Sequence, residues 1–210
     1  SVLVYERATP ATPDEYDAFL RLLEERLLPA CARAVVAGSI PSELPPSRHG
    51  EIVEAAHRAG VPLLVDVTGP GLIAALEASP DIVKIGRIEA VESGVVGEEA
   101  SATEAAMALV DQGARLAVVT DGAEEVAAAD ATTSWRLSVP RIEALNPVGS
   151  GDSFNAALSL ALMDGLDLPT ALTKGVAAGS ANALTKSAAS LDPAMAAALE
   201  DDVAVTTTPR

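Results

Sequence analysis

The chain has 210 residues, 30 acidic against 14 basic side chains, a formal net charge of -16 and a single cysteine, Cys31. That charge excludes tracking along a nucleic acid, whose binders gather cations to release counterions. A lone cysteine excludes an internal disulfide, no apolar run is long enough to cross a membrane, and the opening SVLVYERATP lacks the basic start and apolar stretch of a secretory signal, so a reducing, cytoplasmic protein is expected.

Aromatic residues make up 2% of the chain although 49% of it is hydrophobic. A core of small aliphatic side chains favours helices packed closely on a sheet, an α/β architecture. In chain order, Asp14 to Leu28 sets Tyr16, Phe19, Leu20, Leu23 and Leu27 at helical spacing, with Thr12 and Glu15 placed for a capping box around Pro13. ARAVVAG (Ala32 to Gly38) reads as a strand, the turn-rich SIPSELPPS as a loop, and Arg48 to Ala59 as a helix. VPLLVDV (Val61 to Val67) is the near-continuous apolar run of a strand covered on both faces. A helix near Gly71 to Ala78, a strand at Asp81 to Ile85, a helix at Glu99 to Gln112 and a strand at Arg115 to Thr120 extend the β-α pattern of a parallel sheet. After Gly122, Val126 to Ala129 and Ser134 to Val139 read as short paired strands. Asp152 to Met163 and Thr170 to Lys186 read as Ala-rich helices, and Val203 to Thr207 as a closing edge strand. No linker, repeat or low-complexity tract divides the chain, so residues 1–210 are expected to form one domain.

The segment that carries chemistry is NPVGSGDSF, Asn146 to Phe154. Gly149 and Gly151 bracket Ser150 directly before a helix, where unhindered backbone N–H groups and the helix dipole favour an anion. Asp152 falls in the first turn of that helix, placed to accept a hydroxyl proton as the hydroxyl attacks a phosphoryl group held by those amides. The same residues also suit a plain tight turn with Asp152 as a helix cap, and both readings stand open on the residues alone. A dinucleotide fingerprint fails because the third glycine position is Phe154, and G-x-x-x-x-G-K-[ST] occurs nowhere.

NPVGSGDSFNAAL resembles the C-terminal signature of the ribokinase-like, PfkB-type carbohydrate kinases, closest to the branch of 1-phosphofructokinase and tagatose-6-phosphate kinase. AGSIPSELP (Ala37 to Pro45) is similar to that branch's GSLP loop, LLVDVTG (Leu63 to Gly69) to its DTSG-like strand end, and AAGSANALTKSAA (Ala177 to Ala189) to its nucleotide-side helix; the match runs from about Val4 to the end. The resemblance implies a three-layer α/β/α, Rossmann-like, mostly parallel sheet, and a kinase that uses ATP and Mg2+ on the hydroxyl of a sugar phosphate. It implies Asp152 as catalytic base and Gly149, Ser150 and Gly151 as the anion hole. Thr120 and Gly122 match nucleotide contacts at a strand end, and Asn182 matches a helix residue near the adenine. Lys84 and Glu89 fall on the family's K-P-N-x-x-E stretch, where the Glu organises Mg2+ and its waters. As residues alone, Lys84 and Glu89 also suit a solvated pair beside a strand end.

The chain departs from that pattern in three places. The family's Pro and Asn are Ile85 and Gly86, and the second Gly of its G-x-x-G is Glu125, whose charge is expected near the approaching ATP phosphates. The lid strands and the sugar-holding GGKG-N-A region that family members carry before this point do not occur in the sequence. The expectation is therefore either a fragment or a shortened relative. The alternative function is a non-catalytic relative that binds nucleotide or a partner protein. The family often dimerises through its lid, so a homodimer here would have to use another surface, such as an exposed sheet edge.

Overall fold

The computed structural model describes residues 9–41 and 43–210. The first eight residues of the opening SVLVYERATP, with the start of the family match at Val4, and Ser42 of the Ala37 to Pro45 loop lie outside the described residues.

Helix α1 (Pro13–Leu22) starts as its sequence dictates. The Thr12 hydroxyl accepts from Glu15 N–H at 3.2 Å, and the Glu15 carboxylate accepts from Thr12 N–H at 2.8 Å. The expected single helix to Leu28 does not form. Leu23–Leu27 winds as a π-helix, in which Leu28 N–H donates to Leu23 C=O, and Leu28–Ala30 tightens to a 3-10 turn. The wider turn rotates the apolar stripe. Leu28 is 2% exposed, whereas Phe19 and Leu27, expected to face the core, are 44% and 45% exposed. Tyr16 docks the helix, its hydroxyl donating to Arg48 C=O at 2.7 Å beneath the Arg48 guanidinium.

Four parallel strands follow with their crossover helices: β1 (Ala34–Ala37), α2 (Arg48–Ala59), β2 (Leu63–Asp66), α3 (Gly69–Glu77), β3 (Ile82–Gly86), α4 (Arg87–Glu92), α5 (Ala102–Asp111) and β4 (Leu116–Asp121). The short α4 has no apolar periodicity and escapes the sequence reading. Helix α5 begins at Ala102, not Glu99, because Ser101 caps it through Glu104. Strands β5 (Glu125–Ala129) and β6 (Thr133–Ser138) then extend the sheet as antiparallel hairpins. Helices α6 (Ser150–Met163), α7 (Leu168–Ala183) and α8 (Pro193–Leu199) precede β7 (Val205–Pro209), which pairs antiparallel with β6. Among the described residues the strand order is β1-β2-β3-β4-β5-β6-β7. β1–β4 and β6 run one way, the mostly parallel sheet expected.

Alternation along the strands sorts the core into two layers. Leu63, Val65, Val83, Ile85, Ala117 and Val119 pack with α1, α2, α3 and α5. Leu64, Ile82, Val118, Val126 and Leu137 pack on the other face with Phe154, Leu158, Leu172 and Val176 of α6 and α7. Two glycines bring those last helices together. A Cβ at Gly175 would stand 2.9 Å from the Phe154 ring, and one at Gly179 3.1 Å from the Ser150 carbonyl oxygen. Close packing there seats the start of α6 over the carboxyl ends of the strands.

Candidate active site

In open α/β sheets ligands gather beyond the carboxyl ends of the parallel strands. Asp66 ends β2, Lys84 and Gly86 lie near the end of β3, and Thr120 and Asp121 end β4. Gly122 turns the chain into β5 at φ +58°. Facing them is the start of α6, whose preceding residue Gly149 is left-handed at φ +85°. The Ser150 and Ser153 amides donate to the carbonyls of Pro147 and Gly149. Among the described residues no backbone carbonyl takes the amides of Gly151 and Asp152, the ordinary state of a helix start. Of the three amides expected to form the anion hole, Gly149 to Gly151, that of Ser150 is taken by the Pro147 carbonyl.

A cavity of about 670 Å³ opens at this point. Lys84, Thr120, Gly122, Ser150 and Gly151 line its polar end, and Val126, Val139, Ile142, Phe154, Val176 and Ala183 its apolar walls. Phe154 and Ala183 fall within the signature segments, whereas Val126, Val139, Ile142 and Val176, with Arg141 beside them, carry no motif and escape the sequence reading. Volume and lining suit a flat apolar ring at one end and an anion at the other.

Lys84 is almost fully buried, and its Nζ donates to Asp66 Oδ2 at 3.1 Å. Asn155 Nδ2, one turn into α6, donates to the same oxygen at 2.6 Å. A Cβ at Gly151 would lie 2.8 Å from Lys84 Nζ, so this glycine makes room for the ammonium. Asp66 has a legible signal, a carboxylate at the end of an otherwise apolar strand, but its partner Lys84 is 18 residues away.

The other anticipated residues lie around the cavity. Asp152 is exposed in the first turn of α6 and lines an adjoining groove with Ser153, Ala156 and Leu160. Asn182 is wholly buried. Its Nδ2 donates to Val148 C=O and Ser150 Oγ, and its Oδ1 accepts from Ser190 N–H. It braces the turn and does not line the cavity. Glu89 is exposed, its Oε2 accepting from Gly86 N–H at 2.8 Å, which caps α4. Glu125 also stays off the cavity lining, its carboxylate held at 2.7 Å by Arg136 on β6.

Among the described residues no three acidic, His or Cys side chains cluster as a metal cage. At the strand ends, Asp66 is engaged by Lys84 and Asp121 by Arg87, and Glu89 stands beside them without a cationic partner. That donor set suits Mg2+ carried in on phosphates, which keeps most of its waters and takes one or two protein carboxylates.

Residues 10–195 match the family described as pfkB family carbohydrate kinase. A 1-phosphofructokinase of Xanthomonas campestris pv. campestris is 34% identical over 144 residues, spanning 66% of this chain and 45% of that protein. Phosphofructokinase-2 from Escherichia coli, in complex with potassium, superposes with a TM-score of 0.82 at 25% identity over 94% of this chain and 65% of that one. A carbohydrate kinase from Agrobacterium tumefaciens shares the fold with a TM-score of 0.71 at 23% identity over 93% of this chain and 64% of that one. The chain thus spans under half of the curated relative and about two thirds of the solved ones.

Proposed function

The chain belongs to the pfkB family of carbohydrate kinases, and from that premise we propose that it transfers a phosphoryl group from ATP to the hydroxyl of a ketohexose phosphate, as a single ribokinase-like domain over residues 1–210. The observation that carries this reading is the meeting of Gly151, at the start of α6 with its amide free, and the Lys84 ammonium at the polar end of one cavity. Fixed donors aimed at a transferring phosphoryl group are the main source of catalysis in such reactions.

Each residue has a distinct part. The cavity walls Phe154 and Val176 hold a base, and Thr120 and Gly122 border the phosphates. The Gly151 and Asp152 amides and Lys84 take up charge on the transferred group. Asp152 accepts the acceptor's hydroxyl proton as that oxygen bonds to phosphorus and the bond to the leaving phosphate oxygen breaks. Gly149 and Asn182 shape the turn. Mg2+, when bound, would supply positive charge that offsets the phosphates, and Glu89 is the carboxylate that would hold it or its waters. Solution in the cytoplasm suits ATP at its working concentration, and among the described residues no helix is long and apolar enough to cross a membrane.

Of the features that raised the non-catalytic alternative, which are Gly86, Glu125 and the lid region not found in the sequence, Glu125 has its charge matched by Arg136. Gly86 leaves its N–H to Glu89. Neither favours that alternative.

ADP formation with MgATP and a panel of ketohexose phosphates, beside Asp152→Asn, tests the proposal. Turnover is expected to fall by about 10²–10⁴-fold in the variant, at an unchanged melting temperature because Asp152 is exposed. Turnover retained in the variant would remove Asp152 as the base. No turnover by a folded wild-type chain would remove the kinase proposal for it.

A further inference from the structure

The Lys84 side chain is 8% exposed, and on a four-carbon stem its ammonium has many positions open to it unless something holds it. Asp66 is that hold. Its Oδ2 is shared between Lys84 Nζ at 3.1 Å and Asn155 Nδ2 at 2.6 Å, so one carboxylate oxygen ties β3 to the first turns of α6. Asn155 is 2% exposed, and its Oδ1 is buried without a protein partner, so its orientation is governed by the bond to Asp66. Lys84 has one protein acceptor among the described residues and still lines the cavity. Its three N–H donors therefore include some left for a ligand.

Resting on the nucleotide reading above, we propose that Asp66, oriented by Asn155, is a positioning residue that holds the Lys84 ammonium beside Gly151 for the phosphate chain of the nucleotide. Asp66 does not touch the phosphates itself; it acts through Lys84. The pair also keeps a buried cation matched while the site is empty, which an unpaired lysine in such a place could not sustain. A phosphate arriving at Gly151 meets an ammonium already in place, and less side-chain freedom is lost on binding.

The test is a double-mutant cycle read by nucleotide binding, with ATP and AMP titrated into wild type, Lys84→Met, Asp66→Asn and the double variant. Lys84→Met and Asp66→Asn should each weaken ATP by about tenfold while AMP changes by less than about twofold, since only the longer phosphate chain reaches the ammonium. The double variant should bind ATP no more weakly than Lys84→Met, because contacts acting through one another are not additive. Asp66→Glu should recover part of the loss. Unchanged ATP affinity in Asp66→Asn overturns the proposal alone. So does equal weakening of ATP and AMP, or full additivity with Lys84→Met, which would mark a general structural role or a direct one. A folded wild-type chain that binds no ATP overturns the nucleotide reading itself, and the positioning role with it. Should Asp66→Asn fail to fold, Asn155→Ala takes its place in the cycle: selective, non-additive weakening of ATP supports the proposal, and unchanged ATP affinity overturns it.

Discussion

Asn182 Nδ2 on α7 donates to the carbonyl oxygen of Val148 at 3.0 Å, across 34 residues of sequence, and to Ser150 Oγ, while its Oδ1 accepts from Ser190 N–H. One buried amide thus sets the turn before α6 and the loop after α7 in a fixed relation. The turn it braces carries the amides on which the proposed chemistry depends.

Asn182→Ala should destabilise the fold by about 2–3 kcal/mol, because buried groups lose their partners and a polar cavity opens. Urea unfolding measures this. A change below about 0.5 kcal/mol would mean that water replaces the amide without cost.

Gly149→Ala should act on the same turn from the other side. The backbone there is left-handed at φ +85°, and a Cβ would collide with the backbone of Ala189, which cannot rotate away as a side chain could. Strain and collision together should cost about 2–4 kcal/mol and weaken ATP binding. Wild-type stability and affinity in the variant would show that the turn can shift freely.

His49 gives the fold a pH dependence. The ring is 5% exposed against Gly71, and neither ring nitrogen has a hydrogen-bond partner. Burial is the largest influence on it and lowers its pKa below the ordinary 6.5. The unfolded chain therefore binds more protons than the folded one just below that value. Stability from the neutral ring is fully present above about pH 6.5 and is lost as pH falls from there towards the lowered value. The difference in unfolding free energy between wild type and His49→Leu should shift against wild type between pH 7.5 and about pH 5.5. A difference independent of pH would refute the buried neutral ring.

Local signals carried much of the architecture. The capping box at Thr12 and Glu15 stands as expected, and VPLLVDV lies as a strand covered on both faces because only such a strand tolerates an unbroken apolar run. The hairpin and edge strands after Gly122 are legible as short runs that break the earlier β-α pattern. Illegible were α4 and α8, too short to show periodicity, and the π-helical turn that exposes Leu27 and buries Leu28. A spacing argument assumes 3.6 residues per turn and cannot see a local change of pitch.

The same division runs through the site. Gly149, Ser150, Gly151 and Asp152 are contiguous, so the sequence alone determined that a glycine-flanked helix start with a carboxylate in its first turn lies there. Lys84, Asp66 and Asn155 are separated by 18 and 89 residues, and only the stacking of β2, β3 and α6 made one cluster of them. Folding likewise decided that Asn182 braces the turn from inside and that Arg136 takes the Glu125 charge from across the hairpin. The reason is physical: glycine conformation and helix-terminal amides belong to a few neighbouring residues, whereas the partner of a buried charge is chosen by whichever distant element packs against it.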